Sequence, residues 1–213
     1  MKHPKIAVIG GTGKAGKYLV QELLAQGFPV KLLLRNPDRL PIEHPLIETL
    51  VGNANKYDDV KSLLQNCGAI ISTLGLGQPH SEKNIFSTAT GHILKAMEQL
   101  GIKRYIVITG LNVDTPFDHK GTHTQQGTDW MKMHFPETTA DKQKEYELLS
   151  SSQLDWTLVR LPLIEQTLLR NETNVSLEDC PGEKISATDL AVFLIEQLQS
   201  GTYIRKSPFI ANS

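Results

Sequence analysis

Short apolar runs alternate along this chain with stretches whose apolar residues recur every three to four positions. Residues 5–10 predict a buried strand, because the run is almost wholly apolar up to Gly10. Residues 14–26 predict a helix with Ala15, Tyr18, Leu19 and Leu23 on one face and Gly27 where a C-cap belongs. Strands are expected at 30–34 and 47–51. A second helix follows at 56–66, with Val60, Leu63, Leu64 and Cys67 at helical spacing. Residues 69–74 form a fourth predicted strand. A long helix should run from near Ser81 to Leu100, with Phe86, Ala89, Ile93, Met97 and Leu100 as its core stripe. Residues 105–109 make a fifth strand, 141–151 a helix and 156–160 a sixth strand. Ser186-Ala187-Thr188-Asp189 opens a last helix, with Leu190, Ala191, Leu194 and Leu198 turned inward. A short strand is expected around 209–211.

Residues 111–138 break this rhythm. Pro116, Gly121 and Gly127 interrupt them, His119, His123 and His134 are scattered through them, and little periodicity survives. They predict a long irregular segment, which in a compact domain is usually functional or mobile. The alternation elsewhere predicts a single α/β domain over residues 1–213. Its core would be a doubly wound parallel sheet covered by helices on both faces, with a small substrate-side flap. Such sheets bind ligands at the carboxyl ends of their strands, near the point where strand order reverses.

Composition narrows the function classes. A chain of 213 residues, 39% of them hydrophobic, can bury a core without disulfides. A net charge of -1 gives no global basic field, so nucleic acid is not an expected partner. Cys67 and Cys180 stand far apart, match no metal spacing and are expected as reduced thiols. The first residues lead directly into a strand pattern, and no run approaches the roughly 20 apolar residues of a membrane span. A cytoplasmic protein without membrane contact is the expectation.

The chemistry begins after the first strand, at Gly10-Gly11-Thr12-Gly13-Lys14-Ala15-Gly16. Glycines at 10, 13 and 16 stand between a strand and a helix. The first permits a tight turn, the second lets backbone approach a pyrophosphate, and the third lets the helix pack closely. The helix N-terminus then offers N–H groups and a positive dipole end to an anion, with Thr12 and Lys14 beside it.

This unit resembles the short-chain dehydrogenase/reductase superfamily. The whole chain resembles its atypical NAD(P)H-binding branch, which includes flavin reductase of the biliverdin-IX-beta type and NmrA-like proteins. The residues that carry the likeness are Leu33-Leu34-Arg35-Asn36-Pro37-Asp38-Arg39-Leu40, the run from Ala96 to Arg104, Leu154-Asp155-Trp156-Thr157-Leu158-Val159-Arg160-Leu161-Pro162, and Ile185-Ser186-Ala187-Thr188-Asp189-Leu190-Ala191. The resemblance implies an NAD(P)-binding Rossmann fold.

Cofactor choice turns on the exit from the second strand. NAD sites of this architecture usually place a carboxylate there for the ribose 2′-hydroxyl. Here the position is Arg35, with Arg39 a turn later, and a guanidinium can grip a 2′-phosphate bidentately. NADP(H) is therefore expected rather than NAD(H). Asn53 falls where the family places a residue beside the adenine. Leu74 and Gly75 follow the fourth strand, where backbone would pass the ribose and phosphates. Thr109 and Pro162, at the ends of the fifth and sixth strands, complete the expected contacts.

The resemblance also implies a Ser, Tyr and Lys constellation, in which Tyr exchanges the substrate proton and Lys holds the nicotinamide ribose. Counting back from Leu154-Asp155-Trp156-Thr157 puts that Lys on Lys142, the Tyr position on Thr138 and the Ser position on Gly110. Tyr146 lies one turn beyond Lys142; packing or solvent exposure is expected there, with service as a substitute acid the lesser alternative. An isolated carbonyl needs an acid for its alkoxide; a flavin or quinone, which spreads its charge, needs one less. The leading expectation is thus an NADPH-dependent oxidoreductase for a small conjugated acceptor. The alternative is a non-enzymatic NADP(H) sensor with a protein partner, as in NmrA-like relatives. A sugar-nucleotide epimerase or dehydratase fits less well, given the missing Tyr and short C-terminal region. Leu111, Leu163 and Ile164 are expected on the substrate side. His119, His123, His134, Asp118 and Asp129 match no metal site, though a histidine could serve as a lid donor. Trp130 and Met131 would cap a pocket or anchor the segment.

Overall fold

The computed structural model describes residues 3–36, 38, 43–76 and 82–213. The first half follows the predicted rhythm: strand β1 (Ile6–Ile9), helix α1 (Gly16–Ala25), β2 (Val30–Leu34), β3 (Ile47–Val51), α2 (Tyr57–Leu64), β4 (Ala69–Ser72), α3 (Ile85–Leu100) and β5 (Arg104–Gly110). After it come α4 (Thr122–His134), α5 (Pro136–Ser151), β6 (Asp155–Leu161), β7 (Leu163–Glu165), β8 (Thr173–Ser176), β9 (Lys184–Ser186), α6 (Ala187–Glu196) and β10 (Phe209–Asn212).

The main sheet has eight strands in the order β3-β2-β1-β4-β5-β6-β10-β8. All pairings are parallel except that of β8 with β10. Strand order reverses between β1 and β4, where Ile6 pairs with Ala69 and Ile9 with Ser72. Both faces are covered, which is why β1, β2 and β4 are buried throughout and show no alternation. Helices α1 and α6 pack together, their Leu19, Leu23, Leu190 and Leu194 forming one core layer with Val8 and Leu32. Helix α3 packs on α2 and α5 across the other face, where Ile93 and Met97 meet Ile70 and Trp156. Helix ends follow local chemistry. Gly101 adopts a left-handed φ of 71° and its N–H returns to Met97 O. The Ser186 hydroxyl accepts from the amides of Thr188 and Asp189 at the start of α6.

Several expectations need correction. Residues 111–138 are irregular only as far as Gly121: α4 occupies most of their second half, and α5 begins at Pro136 rather than 141. Helix α4 buries only Thr124 and Thr128, so no apolar stripe announces it. The alternation is not strict, since no α-helix stands between β2 and β3 among the described residues. Strands β7, β8 and β9 were not expected; they are three or four residues long and at most half-buried over most positions. The pair β7–β9 and helix α4 lie outside the main sheet. Helix α3 begins at Ile85, and Ser81 lies outside the described residues. Leu198 falls beyond the end of α6, although it still packs on the core. Among the described residues no helix is long and apolar enough to cross a membrane.

Candidate functional site

The strand ends around the β1/β4 reversal open into a cavity of about 930 Å³. At one end lies the glycine turn. Gly10 takes a left-handed φ of 81°, and a Cβ there would stand 2.5 Å from Thr73 O. Gly13 N–H returns to Gly10 O at 2.9 Å, closing the turn. Gly10, Thr12, Gly13 and Lys14 line the cavity. Gly16 does not; a Cβ there would collide with the Gly10 carbonyl and Gly11 Cα, so its smallness serves the packing of α1 onto the turn. Helix α1 starts with no side-chain cap and no acidic residue in its first turn, which leaves its dipole end facing the turn uncompensated.

Along the wall, Arg35 and Asn36 stand at the end of β2 and Asn53 at the end of β3. The Asn53 amide donates to Asp59 Oδ2 at 2.8 Å, and its side-chain oxygen accepts from the Asn55 amide at 3.3 Å. Arg39 lies outside the described residues. Leu74 and Gly75 follow β4 and also line the cavity. A Cβ on Gly75 would meet nothing within 4 Å, so the protein itself does not require glycine there.

The far end holds Thr109, Gly110, Lys142, Pro162 and Ile164. The Thr109 hydroxyl is sealed from solvent and has no hydrogen-bond partner among the described residues. Gly110, at the Ser position, could not simply be replaced: a Cβ would collide with Asn112 Oδ1. Asn112 is buried and donates to Thr139 Oγ1 at 3.2 Å. Thr138, at the Tyr position, does not line the cavity. Lys142 reaches it from α5, its Nζ 4.0 Å from the centroid of the Phe86 ring. Burial lowers the Lys142 pKa, while the charges of Glu145 and Asp141 oppose that shift.

Other expected neighbours are elsewhere. Ile164 lines the cavity, but Leu111 lies against α4 at Gly127, and Leu163 points outward on β7 with 68% of its surface exposed. None of His119, His123 or His134 lines it, so none of the three stands as a lid donor in this structure. Trp130 stacks on His134 with ring centroids 4.5 Å apart. Tyr146 packs edge-on against Trp156. Asp118 is engaged by Arg160, Thr115 and Lys120. Sequence reading missed Asn36, Thr73, Leu76 and Ile85 as lining residues. Position just beyond a strand end would have found Thr73; no sequence signal marked Ile85, the first residue of α3.

The charges of the lining have one sign. Lys14, Arg35 and Lys142 are spread from the turn to the far end, and no Asp or Glu is among the described lining residues. A long cavity with a backbone cradle, a helix N-terminus and three separated cations suits an extended, multiply anionic ligand, and a dinucleotide has that form.

Comparison with known proteins agrees. The sequence profile of a family described as NAD(P)H-binding matches residues 10–201. "Isoflavone reductase homolog A622-like" of Nicotiana tabacum is 31% identical over 112 residues, covering 48% of this chain and 34% of that protein. "Photosystem II assembly factor Ycf39" of Synechocystis sp. is 22% identical over 215 residues, covering 95% of this chain and 61% of that one. The matches thus span about a third of the tobacco protein's length and under two thirds of the cyanobacterial one's. Among solved structures, a short-chain dehydrogenase/reductase of Veillonella parvula in complex with NADP superposes with a TM-score of 0.79 at 16% identity, covering 99% of this chain and 95% of that one. That likeness establishes the Rossmann architecture.

Proposed function

This chain belongs to the NAD(P)H-binding family, and we propose that it is a reductase passing a hydride from NADPH to a small conjugated acceptor of flavin or quinone type. The observation that carries this reading is the make-up of the cavity's far end. Lys142 is present there, but no tyrosine is among the described lining residues, and the Ser position is a glycine walled off by Asn112. A ketone reduced at such a site would leave an alkoxide with no phenol to protonate it. An acceptor that delocalises the new charge relieves that demand.

In this reading Gly10, Gly13 and the first turn of α1 hold the pyrophosphate, with Thr12 and Lys14 at its rim. Arg35, together with Arg39, engages the 2′-phosphate, and Asn53 the adenine. Leu74 and Gly75 pass beside the ribose and phosphates. Thr109 and Pro162 flank the nicotinamide, and Lys142 holds its ribose. When bound, the cofactor supplies the hydride; the protein supplies orientation and charge.

A second reading, an NADP(H) sensor, draws on one further observation. Helix α4 and its flanks expose Phe117, Trp130, Met133 and Phe135, a set of large apolar side chains suited to a protein partner. NADPH oxidation followed with a ketone, a 1,4-quinone and free flavin separates the two. Turnover with quinone or flavin and little with ketone is expected. Tight NADPH binding with no turnover on any acceptor would replace the reductase by the sensor. Ketone turnover as fast as quinone turnover would overturn the acceptor assignment.

A further inference from the structure

The Lys142 ammonium rests on a ring rather than on an acid. Its Nζ stands 4.0 Å from the centroid of the Phe86 ring on α3, and no hydrogen bond or ion pair joins it to another of the described residues. Glu145, three residues further along α5, does not fill that place. It is 3% exposed, its Oε1 accepts from Thr90 Oγ1 at 2.8 Å, and burial pushes its pKa up to about 7. Phe86 is 2% exposed and does not itself line the cavity, whereas its neighbour Ile85 does. The ring is thus a buried support for a lysine that lines the cavity.

The support is fixed at its other end. Phe86 N–H donates to Asp141 Oδ2 at 2.8 Å, and Ser87 N–H donates to Asp141 Oδ1 at 3.3 Å. Asp141 and Lys142 are consecutive on α5. Helix α5 therefore holds Phe86 twice, by its amide through one residue and by its ring through the next. The arrangement answers an electrostatic problem. The first turn of α3 is the positive end of a helix dipole, a poor neighbour for an ammonium. The buried Asp141 carboxylate offsets that dipole. The face of the Phe86 ring, negative through its quadrupole, attracts the cation. A carboxylate in the ring's place would neutralise the charge and spend the ammonium's donors, whereas a ring leaves both for a ligand.

We propose that Phe86 is a positioning residue for the cofactor: its ring, pinned through Asp141, seats the Lys142 ammonium by a cation–π contact and keeps its N–H donors for the nicotinamide ribose hydroxyls. This rests on the proposed placement of Lys142 on that ribose. It asks no proton of Lys142, which stays an ammonium throughout, and so leaves the choice of acceptor as it stands.

The test is calorimetry with two ligands, NADPH and adenosine 2′,5′-bisphosphate, which carries the 2′-phosphate end but no nicotinamide ribose. Phe86→Leu keeps an apolar side chain and removes the ring. It should weaken NADPH about fivefold, as loss of a modest cation–π contact would, and leave the bisphosphate unchanged. Replacing Phe86 with 4-fluorophenylalanine and then with 3,5-difluorophenylalanine hardly alters its shape but progressively weakens the negative face of the ring. This series should weaken NADPH stepwise, and it serves if Phe86→Leu does not fold. In Lys142→Met, which has no cation to seat, the same changes should have no further effect. NADPH affinity that is unchanged across the folded Phe86 variants overturns the proposal. So does an equal loss for both ligands, or a fluorine effect as large in Lys142→Met as in the wild type. A Lys142→Met protein that binds NADPH as tightly as the wild type refutes the placement of Lys142 on the ribose, and the role of Phe86 falls with it. An impaired Lys142→Met beside an unimpaired Phe86 series refutes the role of Phe86 alone.

Discussion

Arg160 Nη1 and Asp118 Oδ1 lie 2.6 Å apart and join the C-terminal end of β6 to the loop after β5. Arg160 is 1% exposed, yet its guanidinium is well satisfied. It also donates to the carbonyls of Ser207, Val113 and Leu177, and its Cζ sits 3.5 Å from the centroid of the Phe209 ring. Asp118 in turn accepts from Thr115, and Lys120 bridges to Asp114 and Asp118. The segment following the cavity's Thr109 and Gly110 is therefore pinned from beneath. Removing one partner of a buried pair strands the other, at a cost of about 3–5 kcal/mol. Asp118→Ala should lose stability on that scale in urea unfolding, and Asp118→Asn less. An Asp118→Ala protein as stable as the wild type would mean that the pair contributes no net stabilisation.

Cofactor choice can be read at Arg35. A charged hydrogen bond to a 2′-phosphate is worth about 1.5–3 kcal/mol, roughly tenfold or more in affinity. Calorimetry should show NADPH binding more tightly than NADH, with Arg35→Ala closing much of the gap chiefly by weakening NADPH. Equal affinities in the unaltered protein would sink the assignment.

Gly13 and Gly16 should respond differently to the same methyl group. At Gly13, which lines the cavity, a Cβ would meet one backbone oxygen at 3.2 Å and nothing else within 4 Å. At Gly16 it would overlap the Gly10 carbonyl outright. Gly13→Ala should fold with a Tm near that of the wild type and bind NADPH poorly. Gly16→Ala should be destabilised by about 1–3 kcal/mol, as overpacking usually is. Matching thermal stabilities for the two variants would contradict this division of labour.

Glu145 gives stability a pH dependence of predictable sign. Its pKa rises from 4.5 to about 7 on folding, so between these values the folded protein holds a proton that the unfolded chain has released. Stability from this group is present at low pH and is lost as pH rises through the folded value. Unfolding free energies at about pH 5 and about pH 8 should therefore fall by about 1–3 kcal/mol more in the wild type than in Glu145→Gln. Parallel pH curves would show that Glu145 does not titrate as its surroundings imply.

The glycine turn was legible because every residue needed for it is contiguous and the flanking strand and helix each carry their own pattern. The gathering of Arg35, Asn53, Leu74 and Thr109 around one cavity followed from parallel strands, whose ends share one edge of the sheet. Helix α4 was not legible. Its Gly127, threonines and histidines are modest helix formers, it buries no apolar side chain, and polar ties such as Lys132 to Asp114 hold it in place. Glu145 could not be recognised either, since a glutamate on a charged helix reads as solvated until the packing of α3 over it is known. Arg160 was visible as part of a strand signature, but its partner Asp118 lies 42 residues earlier in a segment without pattern.

The insertion of β10 between β6 and β8 bears on how this protein would come apart. Strand β6 passes its amides at Leu158 and Arg160 to the carbonyls of Lys206 and Pro208, and all but the first of its residues are buried. If β10 lifts away, β6 becomes an edge strand with unpaired backbone groups and newly exposed Trp156, Leu158, Val159 and Leu161, a template for pairing with another chain. The Phe209 ring under the Arg160 guanidinium helps to hold this seam shut. Aggregation on heating should therefore begin here, at the opposite side of the sheet from β2 and β3.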